Sequence, residues 1–279
     1  MRSDLAQKRF GLSTIIGGPL RRAVYFDGSS RDIRMGCCNR WAGFEIKTDG
    51  STIGINGKGT VVLTPDGRVR ANFPEPANGA VIAWNHTSDR IARLADRDDR
   101  EWLLQYWSMG SQKLTLITSI GHRPSPPSGL FPPTTISWFN NGAAITYAKR
   151  GKIFIYKLAD RSDIAITNGM NPAWSPDGRW IAYRDDIGHT FVIDPGTRSW
   201  HALIPNIKIL GGIRWSPDSQ FVLVSVLRSA RQLLKRPLIG FENEIEFVIY
   251  RLSDGAILKI NPLVTGTTED RVFWVVKPL

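Results

Sequence analysis

The chain has 279 residues, of which 42% are hydrophobic and 22% are charged, a balance typical of a globular protein that buries a core. Its formal net charge of +11 favours anionic partners. No stretch approaches the roughly 18 apolar residues of a transmembrane helix. The basic charge also lacks the interleaved aromatic residues of a nucleic-acid-binding module. We therefore expect no membrane span and do not favour nucleic acid as the partner, although binding of nucleic acid through the net positive charge is kept as a third hypothesis.

The N-terminal residues 1–20 place basic side chains before a short apolar run interrupted by glycine, serine and threonine. Such a run makes a poor signal-peptide core, so we interpret this segment as the first part of the fold or as a leading tail. Cys37 and Cys38 are adjacent, and neighbouring residues rarely reach disulfide geometry. We predict two reduced thiols and no metal site, because no further ligands follow at a suitable spacing.

The second half of the chain contains an internal repeat. Residues 171–203 begin NPAWSPDGRWIAY, and residues 211–226 begin GGIRWSPDSQFVLV and resume at residues 244–260. A third copy occupies residues 134–167, and a looser fourth copy precedes it. One tryptophan marks the same position in each copy: Trp84, Trp138, Trp174 and Trp215.

Each copy predicts four short strands. In the Trp174 copy these are residues 172–174, 180–183, 190–194 and 199–203, separated by turns rich in proline, aspartate and glycine. Four strands in about 40 residues is the pattern of a β-propeller blade. The tryptophan that ends each first strand is predicted to pack between neighbouring blades.

The motifs WSPDG at residues 174–178, WSPDS at 215–219 and WFNNG at 138–142 resemble the TolB-like, or WD-like PD40, repeat family. The resemblance covers residues 79–260 well and is weak before residue 79. It implies an all-β fold in which residues 1–279 form a single β-propeller of four-stranded antiparallel blades. It also implies a binding platform of the kind found in bacterial envelopes.

The copies give about six blades, with five or seven also open. The segment RVFWVV at residues 271–276 looks like one more first strand, with Trp274 in register, but it has no room for its own blade. In propellers the two termini commonly complete one blade together, which removes the sheet edge. We therefore predict that this strand pairs with an N-terminal strand near residues 22–25.

Alternating strand directions assign the loops to two faces. The connections between blades share one face with the second-to-third turns, whereas the WSPDG turns share the other face with the third-to-fourth turns. Two long insertions, residues 120–133 and 227–241, fall on the first face. The first is proline-rich and predicts a stiff, extended arm.

The second insertion contains a basic pattern. If residues 227–236 are helical, Arg228, Arg231 and Lys235 lie on one side and the leucines on the other. Two interpretations remain open: a basic helix that faces an acidic partner, or a short helix that docks its leucines and leaves its charges in water. With other loop residues expected on that face, the partner-binding candidates are Arg228, Arg231, Lys235, Arg236, His122, Arg123, Asp185, Asp186 and His189.

No nucleophile elbow, P-loop or zinc-protease motif is present, and we expect no cofactor. The leading hypothesis is a monomeric, non-enzymatic scaffold that binds a protein partner, of acidic character, through the face with the two insertions. The alternative is a propeller enzyme, a lyase or hydrolase acting on an anionic sugar or lactone at the central mouth. The family resemblance implies the periplasm if a signal has been removed from a precursor, and the cytoplasm otherwise.

Overall fold

A computed structural model describes residues 1–17, 20–34, 43–47, 49–56, 59–73, 82–85, 89–97, 101–111, 113–121, 136–204, 212–227, 245–260 and 273–277. In chain order the elements of these residues are α1 (Arg2–Gln7), β1 (Phe10–Gly17), β2 (Leu20–Tyr25), β3 (Ser30–Arg34), β4 (Gly43–Ile46), β5 (Thr52–Asn56), β6 (Gly59–Leu63), β7 (Val69–Phe73), β8 (Ile82–Asn85), β9 (Arg90–Arg97), β10 (Glu101–Ser108), β11 (Lys113–Gly121), β12 (Ile136–Trp138), β13 (Ala144–Lys149), β14 (Lys152–Lys157), β15 (Ser162–Asn168), β16 (Met170–Trp174), β17 (Ile181–Arg184), β18 (Thr190–Ile193), β19 (Trp200–Ile204), β20 (Arg214–Trp215), β21 (Phe221–Leu227), β22 (Ile245–Arg251), β23 (Ile257–Ile260) and β24 (Phe273–Val276). No helix within these ranges has the length and apolar character needed to cross a membrane.

The strands form six four-stranded antiparallel sheets, which are the blades of a β-propeller. From the innermost strand outwards, blade 1 is β24-β1-β2-β3, blade 2 is β4 to β7, blade 3 is β8 to β11, blade 4 is β12 to β15, blade 5 is β16 to β19 and blade 6 is β20 to β23. The predicted fold class and the central estimate of six blades are confirmed.

The SPDG turn after Trp174 shows why this sequence ends an inner strand. Ser175 Oγ accepts a hydrogen bond from the backbone N–H of Trp180 (2.9 Å) and donates one to Asp177 Oδ1 (2.6 Å). Gly178 has a φ of 75°, a backbone conformation that glycine adopts without strain. Ser216 and Asp218 repeat the serine and aspartate contacts in blade 6. The motif therefore supplies its own turn from contiguous residues.

The tryptophans of the repeat are buried at the contacts between blades, as predicted. Trp138 Nε1 donates to the carbonyl oxygen of Ala83 in the preceding blade at 3.0 Å, and Trp215 Nε1 donates to that of Ala173 at 2.9 Å. Trp274 Nε1 does the same with the carbonyl oxygen of Arg214 at 3.1 Å. The core is thus a series of clusters between adjacent blades.

The two termini close the ring, as predicted. The prediction that the C-terminal strand pairs with a strand near residues 22–25 was wrong. Strand β24 pairs with β1, with Leu12 opposite Trp274, whereas β2, which holds residues 22–25, pairs with β1 and β3. A Cβ atom on Gly11 would lie 2.6 Å from the carbonyl oxygen of Val24. Gly11 therefore permits the close approach of β1 to β2. The glycines and small polar residues of β1 also weaken its strand pattern in the sequence.

Helix α1 packs across the closing seam onto blade 6. The Leu5 side chain is fully buried in a cluster with Phe221, Phe247 and Trp274. The Asp4 carboxylate lies 2.7 Å from Arg251 Nη1. The first residues of the chain therefore belong to the packed structure.

We call the two ends of the propeller the turn face and the loop face. The turn face carries the first-to-second and third-to-fourth turns, which in blade 5 are residues 175–180 and 194–199. The loop face carries the second-to-third turns, which in blade 5 are residues 185–189, and the connections between blades.

Candidate functional site

A cavity of about 520 Å³ lies at the centre of the ring. Every blade contributes residues from its innermost strand to the wall, and the tryptophans of the repeat line much of it. Asn140, Ser175, Pro176 and Pro217, from first-to-second turns, also line the cavity, so it extends to the turn face. Charged groups of the wall include Glu45, Lys47 and Arg214.

Glu45 and Lys47 hold the main chain of the next blade. Glu45 Oε2 accepts a hydrogen bond from the backbone N–H of Trp84 at 2.8 Å. Lys47 Nζ donates to Glu45 Oε1 at 2.8 Å and to the carbonyl oxygen of Trp84. The Lys47 side chain is 4% exposed. Burial lowers the pKa of Lys47, against the opposing attraction of Glu45.

Other polar residues of the cavity wall also bond from blade to blade. Asn85 Nδ2 donates to the carbonyl oxygens of Phe139 and Asn140, at 3.0 and 3.2 Å. Ser137 Oγ accepts from the backbone N–H of Trp174 at 3.0 Å. Asn85 and Ser137 therefore line the cavity and also join neighbouring blades through hydrogen bonds.

Two tryptophans depart from the indole pattern of the others. The Nε1 atoms of Trp84 and Trp174 are buried and have no hydrogen-bond partner among the residues that the structure describes. Instead, the backbone N–H of Trp84 donates to Glu45 and that of Trp174 donates to Ser137, each in the preceding blade. The blades are therefore joined in two alternative ways, through the indole or through the main chain of the same residue.

Among the predicted site residues, the structure describes those of the second-to-third turn of blade 5. Asp185 Oδ1 accepts from the backbone N–H groups of Ile187 and His189, at 3.1 and 2.8 Å. Asp185 Oδ2 lies 3.1 Å from His189 Nδ1. Asp185 and His189 thus come together to close this turn, and Asp186 is exposed beside them.

The remaining predicted residues lie outside the described residues, as do Cys37 and Cys38. These are Arg228, Arg231, Lys235, Arg236, His122 and Arg123. Within the described ranges, no three His, Cys, Asp or Glu side chains are close enough to hold a metal ion.

Glu45, Lys47 and Arg214 line the cavity but were not among the predicted site residues. Lys47 begins the KTDG turn and occupies the position that Ser175 and Ser216 hold in their blades. An alignment of KTDG with SPDG would have put Lys47 at the end of an inner strand. The repeat is weak before residue 79, so Lys47 was not recognised as an inner-strand position.

Comparison with solved structures identifies similar folds. No family model and no curated protein matches the sequence. TolB from Acinetobacter baumannii superposes with a TM-score of 0.64 at 12% identity, over 95% of this chain and 65% of that one. A protein described as TolB from Agrobacterium tumefaciens gives 0.62 at 12% identity, over 97% and 99%. Kuenenia stuttgartiensis hydrazine synthase gives 0.54 at 13% identity, over 81% and 67%.

These similarities confirm the TolB-like propeller fold expected from the WSPDG motifs. The chain spans about two thirds of the length of the A. baumannii TolB chain. At these identities the likeness concerns the fold alone.

Proposed function

We propose that this chain is a non-enzymatic scaffold that binds a protein partner through its loop face. The observation that carries the proposal is that four polar side chains lining the central cavity join neighbouring blades: Glu45, Lys47, Asn85 and Ser137. Because these inner side chains bond one blade to the next, the ring is a rigid scaffold. Such a scaffold can present its loops to a partner.

The proposed recognition segments are residues 120–133 and 227–241. Strand β11 ends at Gly121 and β12 begins at Ile136, so the first segment falls largely in the connection between blades 3 and 4. Strand β21 ends at Leu227 and β22 begins at Ile245, so the second falls between strands two and three of blade 6. Connections of both kinds leave the ring on the loop face, which supports a shared binding surface.

The charge of the chain supports an acidic partner. The net charge is +11, and the second segment contains the candidates Arg228, Arg231, Lys235 and Arg236. We propose that these residues, with His122 and Arg123, contact carboxylates of the partner, and that Asp185, Asp186 and His189 lie at the margin of the same surface. Binding of this kind weakens as salt rises.

A pull-down with the purified chain as bait tests the proposal. We expect a specific protein to be recovered by the unaltered chain and lost with the variant Arg228→Ala/Arg231→Ala/Lys235→Ala. The matched control is Arg68→Ala/Arg179→Ala, which removes exposed arginines from turns of the turn face. Equal recovery with all three baits would overturn the role of the loop face.

The alternative of a lyase or hydrolase for anionic sugars or lactones would use the central cavity. Glu45, Lys47 and Asn85 contribute polar groups there, but each holds the neighbouring blade. A screen of acidic oligosaccharides and lactones separates the two functions. Turnover that disappears in Arg214→Ala, whose side chain lines the cavity, would favour the enzyme over the scaffold.

A further inference from the structure

The outermost strands of the blades differ in how they are protected. An edge strand presents unpaired N–H and C=O groups, and proteins commonly place charged residues there to prevent pairing with another chain. Five of the six outermost strands contain such a residue: Arg31 in β3, Arg70 in β7, Lys113 in β11, Asp163 in β15 and Lys259 in β23. Strand β19, with the sequence WHALI, contains no Asp, Glu, Lys or Arg.

Strand β19 also carries an exposed tryptophan. Trp200 is 61% exposed and stands edge-on against Phe191, with ring centroids 5.5 Å apart and an interplanar angle of 81°. His201 and Ala202 are exposed beside it. Tryptophan is enriched among the residues that dominate binding energy at protein interfaces, so this edge has the character of an interface.

The hydrogen bonds of blade 5 show which groups of β19 point outwards. The backbone N–H of Asp194 donates to the carbonyl oxygen of Ser199 at 2.9 Å, so these two residues form a hydrogen-bonded pair. Hydrogen-bonded and non-bonded pairs alternate in antiparallel strands. With Trp200 opposite Ile193 and Ala202 opposite Phe191, the N–H and C=O groups of Trp200 and Ala202 point to the free edge. No described strand bonds to that edge.

We propose that β19 pairs in antiparallel fashion with β19 of a second copy of this chain, about a two-fold axis at His201. In this register Trp200 of each copy faces Ala202 of the other, and these are the residues whose main-chain groups point outwards. The pairing forms two hydrogen-bonded pairs, and the large indole lies over a small methyl side chain. Two blades then join into one continuous sheet.

A second copy fits this edge better than a charged peptide does. Two-fold pairing of a strand with itself brings any charge on that strand close to the same charge on its mate. Strand β19 avoids this repulsion because it has no such charge, and for the same reason it offers nothing to attract an acidic segment. The self-complementary arrangement also closes, so it yields a dimer rather than a filament.

The dimer should be weak and should strengthen with salt. A five-residue edge with one tryptophan falls in the class of small, transient interfaces. Each copy has a net charge of +11, and salt screens the repulsion between copies. This salt dependence is opposite to that expected for the acidic partner of the loop face, so the two proposals fail independently.

Sedimentation velocity of the full chain at several concentrations, in low and high salt, tests the association. We expect a concentration-dependent dimer that high salt strengthens. Trp200→Lys and Ala202→Pro should each weaken the dimer about tenfold or more. Trp200→Lys adds a positive charge to the edge strand. Ala202→Pro removes an outward-pointing N–H without removing a hydrogen bond to β18. Ile257→Lys, on the exposed edge of blade 6, should dimerise as the unaltered chain does. A monomer at all concentrations, or a dimer unaffected by both β19 variants, would overturn the proposal.

Cross-linking tests the register, in a background of Cys37→Ser/Cys38→Ser. His201→Cys places two thiols opposite each other in a non-hydrogen-bonded pair, about 4.5 Å apart at Cα, which is within disulfide range. Mild oxidation should give a covalent dimer. Ser199→Cys is the matched control, because its two copies lie four residues apart along the paired strands and cannot be bridged. Equal cross-linking of both variants would contradict pairing about His201.

Discussion

The polar residues at the inner ends of the blades act across blade boundaries. Glu45 and Lys47 belong to blade 2 but hold the N–H and C=O groups of Trp84 in blade 3. The Lys47 ammonium is buried, and its charge depends on the Glu45 carboxylate 2.8 Å away. Breaking a buried pair by removing one partner is strongly destabilising, whereas removing both is much less so.

Glu45→Ala should therefore lower the free energy of unfolding by about 2–4 kcal/mol, since it leaves Lys47 unpaired and the Trp84 N–H without its acceptor. The double variant Glu45→Ala/Lys47→Met should be more stable than Glu45→Ala alone, because the unpaired buried charge is gone. Urea unfolding measures both.

The matched control is Arg68→Ala. Arg68 pairs with Asp66 at 2.7 Å, but its side chain is 82% exposed, so the loss should stay below about 0.5 kcal/mol. Equal losses for Glu45→Ala and Arg68→Ala would show that Glu45 does not hold the neighbouring blade.

At the scale of elements, the closing seam depends on more than the pairing of β24 with β1. Among the described residues, the pairing places Phe10–Ser13 of β1 opposite Phe273–Val276 of β24. Helix α1 adds contacts to blade 6 from the same N-terminal segment. Lys8 Nζ lies 2.5 Å from Asp218 Oδ2, and Leu5 fills the apolar cluster beneath the helix. The helix thus ties the first residues of the chain to the last complete blade.

Leu5→Ala should lower the free energy of unfolding by about 2–4 kcal/mol, because it removes a fully buried side chain and leaves a cavity. Thermal or urea unfolding followed by tryptophan fluorescence measures the change. Val69→Ala, at a side chain 55% exposed on the edge of blade 2, should change it by less than about 0.5 kcal/mol. A small effect of Leu5→Ala would mean that α1 does not support the seam.

The elements also differ in how well they could be predicted. The four strands of blade 5 were predicted within one or two residues, as β16 to β19 show. Strand β1 was left open between fold and tail, because Gly11, Ser13 and Gly17 are poor strand formers. Its strand conformation is stabilised by β24 and β2 on either side, which are contacts that no local pattern contains.

At the scale of the whole molecule, aspartates recur in the third-to-fourth turns of five blades. They are Asp27, Asp66, Asp160, Asp194 and Asp254. In each of them, hydrogen bonds donated to the carboxylate by turn residues and nearby basic side chains lower the pKa below its ordinary value. In the unfolded chain these carboxyls regain a pKa of about 3.9.

These shifts predict a loss of stability in acid. Because the folded pKa values are depressed, the unfolded chain binds more protons in this range, and stability falls with pH. The contribution is fully present above about pH 5 and is lost as pH falls through the folded values, below about pH 4. Urea unfolding at a series of pH values should show this decline.

The variant Asp194→Asn should have a shallower decline, since it removes one of the contributing carboxyls. Asp186→Asn, at an exposed position outside the third-to-fourth turns, serves as the control and should follow the unaltered chain. An unchanged slope in Asp194→Asn would contradict a stabilising role for the ionised turn aspartates.

The sequence by itself determined the blade, the register of Trp138, Trp174 and Trp215, and the closure of the ring by both termini. The blade and the tryptophan register follow from contiguous turn motifs such as SPDG, whose hydrogen bonds join residues two to five apart. The closure follows from a final strand that has no room for its own blade. Only the tertiary structure decided that β24 pairs with β1 and that Glu45 and Lys47 hold Trp84. These contacts join residues that are distant in the chain, and they exist only once six blades form a ring that brings each inner strand against the next.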